Sequence, residues 1–173
     1  MPSNLLIHGV SKVLEVKASH DGKGQRLTVT KAISAGQVFH KIENYHYITE
    51  ATFSSVQVGQ AQNIEEFKYM AYLNHSCDPN IILDTLNFEL RAIRDIAPGE
   101  ELSFFYPSTE WSMSTPFKCL CGAPQCLGYI SGAKHLSLHV ISKYFCNHHI
   151  RMMAMACVTH DLAVAPAELI TAS

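Results

Sequence analysis

Apolar and polar positions in this chain alternate over short stretches more often than they recur at helical spacing. Residues 5–16 alternate loosely, as an edge strand does, and run into the turn His20-Asp21-Gly22-Lys23-Gly24. Residues 26–31 (RLTVTK) alternate at period two and are rich in β-branched side chains, which predicts a strand. Ser34-Ala35-Gly36 predicts a turn into a further strand over 37–42. Residues 43–65 are mixed, with SSVQVG the strongest strand candidate among them. Residues 65–73 suit a short helix, 81–84 and 87–93 suit two strands around Asp84-Thr85, and Ala97-Pro98-Gly99-Glu100 is a turn. Residues 102–106 form an apolar, aromatic strand pattern. After Gly132, the spacing of Leu136, Val140 and Tyr144 with Ile141 and Phe145 predicts an amphipathic helix, and from Val158 no period is visible. The fold class that follows is mostly β (β+α), built of short strands with one C-terminal helix.

Composition narrows this picture. A chain of 173 residues suggests one domain with enough length to bury a core. Hydrophobic residues make up 47% and charged residues 16%, a globular balance without a disordered arm. The net charge is −2 and Lys and Arg are scattered, so the basic stripe of a nucleic-acid binder is missing and no direct nucleic-acid binding is expected. No apolar run reaches the roughly 18 to 20 residues that span a bilayer, and the opening MPSNLLIHGVSKVLEVK lacks a secretory pattern. A cytoplasmic or nuclear protein without a membrane partner is the expectation. In such a reducing compartment, clustered cysteines hold metal more often than they pair.

Six cysteines lie at 77, 119, 121, 126, 146 and 157. Cys119, Cys121 and Cys126 have the spacing C-x-C-x4-C, with Gly122 and Pro124 between them to bend the chain. Zn²⁺ takes four tetrahedral ligands, and three thiolates lie within eight residues, so a fourth must come from elsewhere. Cys77 is the best candidate. It sits in NHSCDPN (residues 74–80), whose Asp-Pro-Asn would also serve as an ordinary turn. Cys146, His148, His149, Cys157 and His160 could suggest a second site, but they fall on a helix face and tail without a ligand-like turn and are read as structural.

Four segments together carry a family resemblance: GKGQR (residues 22–26) with the following TVTKAISAG, then NHSCDPN, then GEELSFFY (residues 99–106), then CLCGAPQC. In this order they resemble the SET-domain methyltransferases with a C-terminal zinc-binding post-SET segment, and a small stand-alone form of them. The resemblance implies small curved β-sheets with a C-terminal pseudoknot in which NHSC meets the GEELSFFY strand. It divides the chain into a SET domain (5–116), a post-SET zinc segment (117–132) and a C-terminal helix and tail (133–173). It implies S-adenosylmethionine as cofactor, held near Gly24, Gln25, Arg26, Asn74 and His75, with Phe117 covering the adenine or walling the channel. It implies Zn²⁺ on Cys77, Cys119, Cys121 and Cys126, so that metal and cofactor sites share one turn.

Tyr106 matches the family's active-site tyrosine, which orients amine and methyl, although an aromatic on a strand is otherwise usually packing. Phe104, Phe105 and Trp111 are candidate walls of the substrate channel. The chain departs from the family at Arg26, which stands at the second glycine of its G-x-G motif and could crowd the cofactor or pair with its carboxylate. It departs again at Phe105, in place of an acidic residue, and at Ala71-Tyr72 before NHSC. The expected activity is S-adenosylmethionine-dependent methyl transfer, most simply to a protein lysine. The alternatives are a SET fold turned to a small apolar molecule, as methyltransferase or cyclase, and a non-catalytic binding module.

Overall fold

The computed structural model describes residues 13–19 and 24–164, with side chains to residue 159. The early part of the first expected strand, turn residues 20–23 and His160 with the tail after it lie outside what is described of backbone or side chain. Strands run in chain order as β1 (Leu14–Ala18), β2 (Gln25–Val29), β3 (Val38–Lys41), β4 (His46–Ile48), β5 (Val56–Gly59), β6 (Gln62–Glu65), β7 (Asn74–His75), β8 (Ile81–Asp84), β9 (Glu89–Ala92), β10 (Ser103–Phe104), β11 (Phe117–Lys118) and β12 (Tyr129–Ile130). Two α-helices follow among the described residues, α1 (Leu138–Ile141) and α2 (His148–Val164).

The strands form small separate sheets: the hairpin β1–β2, the antiparallel sheets β3–β9–β8 and β4–β6–β5, the hairpin β11–β12, and the parallel pair β7–β10. Alternation explains much of the first two. Leu27 and Val29 of β2, Ile81 and Leu83 of β8, Leu90 and Ala92 of β9, and Ile64 of β6 all turn into one core with Leu102 and Phe104. The mixed stretch 43–65 thus holds three strands, of which the pattern singled out β5 alone.

Three elements differ from the pattern. Residues 65–73 form no α-helix: Glu65 ends β6, and the Glu66 carboxylate accepts the N–H groups of Lys68, Tyr69 and Met70 at 2.8–2.9 Å, leaving one 3-10 turn over Met70–Tyr72. The chain must then straighten, because Asn74 and His75 pair with Ser103 and Phe104. The strand expected over 102–106 is only two residues long, since Tyr106–Ser108 is a 3-10 turn carrying Pro107, which has no N–H for a ladder.

The helix expected from Leu136 onward shrinks to the single turn α1, capped where the Ser137 hydroxyl accepts the Val140 N–H at 3.3 Å. The long helix is α2, in the stretch MMAMACV, where polar positions are too few to print a period. Asn147, just ahead of α2, docks it: Oδ1 accepts the Thr85 N–H at 2.9 Å, and Nδ2 donates to the carbonyls of Leu83 at 2.9 Å and Ser108 at 3.0 Å. Among the described residues, no helix is long and apolar enough to cross a membrane.

Gly132 sets the turn between the last hairpin and the helices. Its φ is +110°, and a Cβ there would stand 2.5 Å from the Trp111 carbonyl oxygen, so neither backbone nor space admits a side chain. Gly132→Ala is expected to cost about 3 kcal/mol from strain and clash combined, read as a lowered midpoint in denaturant titration with an unchanged slope.

Candidate active site

The site grows from the parallel pair β7–β10. Because successive strand residues face opposite ways, Phe104 and Phe105 part company. Phe104 packs at 4.8 Å on the Tyr106 ring, beside a narrow cavity of about 60 Å³ lined by Thr52, Val56, Met70, Phe104, Tyr106 and Glu110. Phe105 stacks at 3.7 Å and 8° on Tyr144, in a separate groove of about 430 Å³ that also borders Cys77. Trp111 packs beside Ala133, Cys146 and Ile150. Phe104 alone of the three expected channel aromatics lines the cavity beside Tyr106. Phe105 is turned away by strand alternation, and Trp111 is held by its backbone N–H to Gln57 Oε1 at 2.8 Å.

Tyr106 is fixed at both ends. Its N–H donates to His75 Nδ1 at 3.2 Å, and its hydroxyl donates to the Leu73 carbonyl at 2.7 Å. Burial pushes its pKa far up, and the Glu110 and Glu101 charges push the same way, so the phenol keeps its proton. Because the backbone N–H occupies His75 Nδ1, the imidazole proton sits on Nε2, 3.3 Å from Cys77 Sγ. Burial lowers His75 to about 4, so the ring is neutral. One imidazole therefore joins Tyr106 to the cysteines, and Phe117 on β11 meets both rings edge-on at 5.8 and 6.0 Å.

The sulfurs of Cys77, Cys119, Cys121 and Cys126 lie within 4.8 Å of one another, with Cys77 and Cys119 4.0 Å apart. A tetrahedron with metal–sulfur bonds near ~2.3 Å has edges of roughly 3.8 Å, so the quartet is close to that shape. None of the four is in a disulfide. Burial pushes Cys77 up to about 12 and Cys119 up to about 11. Burial pulls Cys121 upward too, but the N–H groups of Cys77 and Ala123 and the neighbouring thiols outweigh it and hold it down to about 6. Four thiols that cannot all ionise side by side are a donor set that a divalent cation satisfies. Cys146 and Cys157 lie outside this group, and His149 Nε2 bonds the Thr109 carbonyl at 2.8 Å.

The three motifs expected at a cofactor meet through Glu101. Its Oε1 accepts from Asn74 Nδ2 at 2.7 Å, and its Oε2 lies 3.8 Å from the Arg26 guanidinium, which also donates from Nε to the Ala18 carbonyl at 3.2 Å. Gln25 opens β2, exposed, and Gly24 sits where a Cβ would just touch Ser19 Oγ at 3.4 Å.

Glu110 escaped the sequence reading. It is 8% exposed, its Oε1 accepts the Gln57 N–H at 2.9 Å and the Thr109 hydroxyl at 3.1 Å, and burial raises it to about 7 against those two bonds. A lone Glu beside the chain's one Trp gives no periodic signal; only its burial marks it. Since the folded-state value lies above the ordinary 4.5, the folded protein holds a proton that the unfolded chain releases, and stability falls as pH rises from about 4.5 through about 7. Glu110→Gln is expected to recover on the order of 3 kcal/mol at alkaline pH and nothing in acid, measured as thermal midpoints of both proteins across pH.

Comparison with known proteins agrees with this architecture. The SET domain family model matches residues 20–107. Methyltransferase flvH of Aspergillus flavus is 43% identical over 122 residues, covering 69% of this chain and 68% of that protein. The H3 lysine-4-specific histone-lysine N-methyltransferase of Schizosaccharomyces pombe is 42% identical over 66 residues, and the match spans 35% of this chain and 7% of that protein. The methyltransferase domain of human SETMAR superposes with a TM-score of 0.50 at 21% identity, over 69% of this chain and 58% of that one. KRYPTONITE in complex with mCHG DNA and SAH superposes with a TM-score of 0.52 at 22% identity, over 67% of this chain and 28% of that one. At such identities the two structures speak for the fold alone. The chain belongs to the SET-domain family of methyltransferases.

Proposed function

We propose that this protein transfers the methyl group of S-adenosylmethionine to an aliphatic amine, read as the side chain of a protein lysine. The observation that carries the reading is Tyr106: a buried phenol, locked by Leu73 and His75, on the wall of a cavity too narrow for much more than an extended alkyl chain. S-adenosylmethionine would supply an electrophilic methyl on a sulfonium, held beside Asn74, His75, Arg26 and Gly24, with Gln25 at the rim and Phe117 as an aromatic cover. Methyl transfer needs alignment more than covalent help, and Tyr106 and the Leu73 carbonyl supply fixed polar points for it. Arg26, already paired with Glu101, acts as a brace for Asn74 in this reading. Zn²⁺ on Cys77, Cys119, Cys121 and Cys126 would be structural, because four protein ligands leave no open position. It would hold residues 117–130 against the NHSC turn.

The lysine-specific assignment draws support from relatives that match short parts of much longer histone-lysine N-methyltransferases. Methyltransferase flvH, matched over 68% of its length, is named without a substrate, so a small-molecule amine is kept as the second reading. The test is calorimetric titration with S-adenosylmethionine, followed by a peptide array scored by added methyl mass. Saturable cofactor binding with methylated lysine supports the reading. Binding with methylation only of small amines moves it to the second, and no cofactor binding rejects methyl transfer.

A further inference from the structure

Resting on the amine-acceptor reading above, we propose that Glu110 is a second catalytic residue, which pairs with the incoming ammonium and takes its proton before methyl transfer. Glu110 and Tyr106 line the same cavity, and Glu110 is the one charged residue of its lining. The carboxylate is held with only one oxygen engaged. Oε1 accepts from Gln57 and Thr109, while Oε2 has no hydrogen-bond partner among the described residues. Nor does any Lys, Arg or His there form an ion pair with it. No fully buried side-chain nitrogen or oxygen among the described residues lacks a partner, so the unengaged Oε2 keeps some exposure, where a cationic ligand can reach it, although the residue as a whole is 8% exposed.

Position fits the role. The Glu110 N–H donates to the Tyr106 carbonyl at 2.9 Å, and its own carbonyl accepts the Ala133 N–H at 2.8 Å, so phenol and carboxylate ride on one short turn in fixed relation. Tyr106 cannot serve as the base, since its hydroxyl proton is committed to the Leu73 carbonyl and burial holds it there. The neighbouring titratable groups add no competing cation. Glu65 is bound by Thr52 and Ser54 of the cavity wall, Glu66 by the backbone at Met70, Glu101 by Asn74, and burial lowers the pKa of His149, whose Nε2 bonds the Thr109 carbonyl. In the step itself, the ammonium N–H bond breaks and its proton forms an O–H bond at Oε2. The electron pair stays on nitrogen as the nucleophile, and charge is conserved. Burial that brings Glu110 to about 7 suits it to accept and release a proton near neutrality.

The test uses the purified protein saturated with S-adenosylmethionine, with n-butylamine as probe and 1-butanol as its uncharged counterpart. n-Butylamine is expected to bind at least tenfold more tightly at about pH 8 than at about pH 5, while 1-butanol binds alike at both. In carboxyl-13C glutamate spectra, the resonance lost in Glu110→Gln should titrate near neutrality and shift its midpoint down by about one unit with n-butylamine. Amine affinity that is flat in pH, or matched by 1-butanol at the higher pH, overturns the role of Glu110. Should Glu110→Gln not fold, the wild-type pH comparison decides alone. Failure of the methyl-transfer reading shows separately, as absent cofactor binding in the titration that precedes the probe.

Discussion

Cys77→Ser is expected to abolish stoichiometric zinc binding and to lower the thermal midpoint by roughly 10 °C. The thiol is fully buried and its sulfur is approached by Cys119 Sγ at 4.0 Å, the Leu127 N–H at 3.4 Å and His75 Nε2 at 3.3 Å. It is also the one of the four cysteines that lies beside β7; the other three lie on the segment after β11. Without it the three remaining sulfurs have no anchor in the core, and the small cluster of Ile130, Met113 and Phe117 around them loses its centre. Structural zinc contributes folding free energy directly. Because the larger core around Leu27, Ile81 and Leu90 is built apart from this cluster, the loss is a few kcal/mol, at about 2–4 °C each for a chain of this size. Zinc content by elemental analysis and a thermal melt check it. Cys157→Ser, exposed and outside the quartet, should leave both unchanged. A Cys77→Ser protein that keeps one zinc per chain would remove Cys77 from the ligand set.

Tyr106→Phe is expected to cut methyl transfer by roughly 10²–10³-fold, the scale for losing one preorganised hydrogen-bonding group, with little change in fold. The substitution keeps the ring, and with it the contacts to Phe104, His75 and Phe117, and keeps the backbone N–H to His75. It deletes one buried hydroxyl and frees the Leu73 carbonyl, at a cost of about 1–2 kcal/mol. A stability change of that size with a collapse of turnover, at unchanged cofactor affinity, separates an active-site phenol from a packing aromatic. Equal turnover in the variant would assign Tyr106 to packing.

Much of the fold was legible in short alternating runs. In β2, β8 and β9 every second residue is apolar and packs into one core, and that period survives in the sequence. β4 and β6 were not legible, because each is three or four residues long and half exposed, so pairing with neighbours, rather than pattern, makes them strands. The helix was placed too early for the opposite reason. Tyr144 and Val140 are apolar at helical spacing because they cover the Phe105 groove, whereas α2 is apolar on nearly all sides and shows no stripe.

The candidate site divides in the same way. By itself the sequence determined the family, through motifs in a set order, and pointed to the cysteine quartet that the fold brings together, because binding a metal requires given residue types at given spacings along the chain. The tertiary structure alone decided which aromatic of Phe104 and Phe105 faces the cavity, that Arg26 rests on Glu101, and that Glu110 stands beside Tyr106. Those facts depend on which way a strand is turned and on how far water is excluded from a carboxylate. Neither leaves a mark in residue order, since both arise only when segments distant in the chain are packed together.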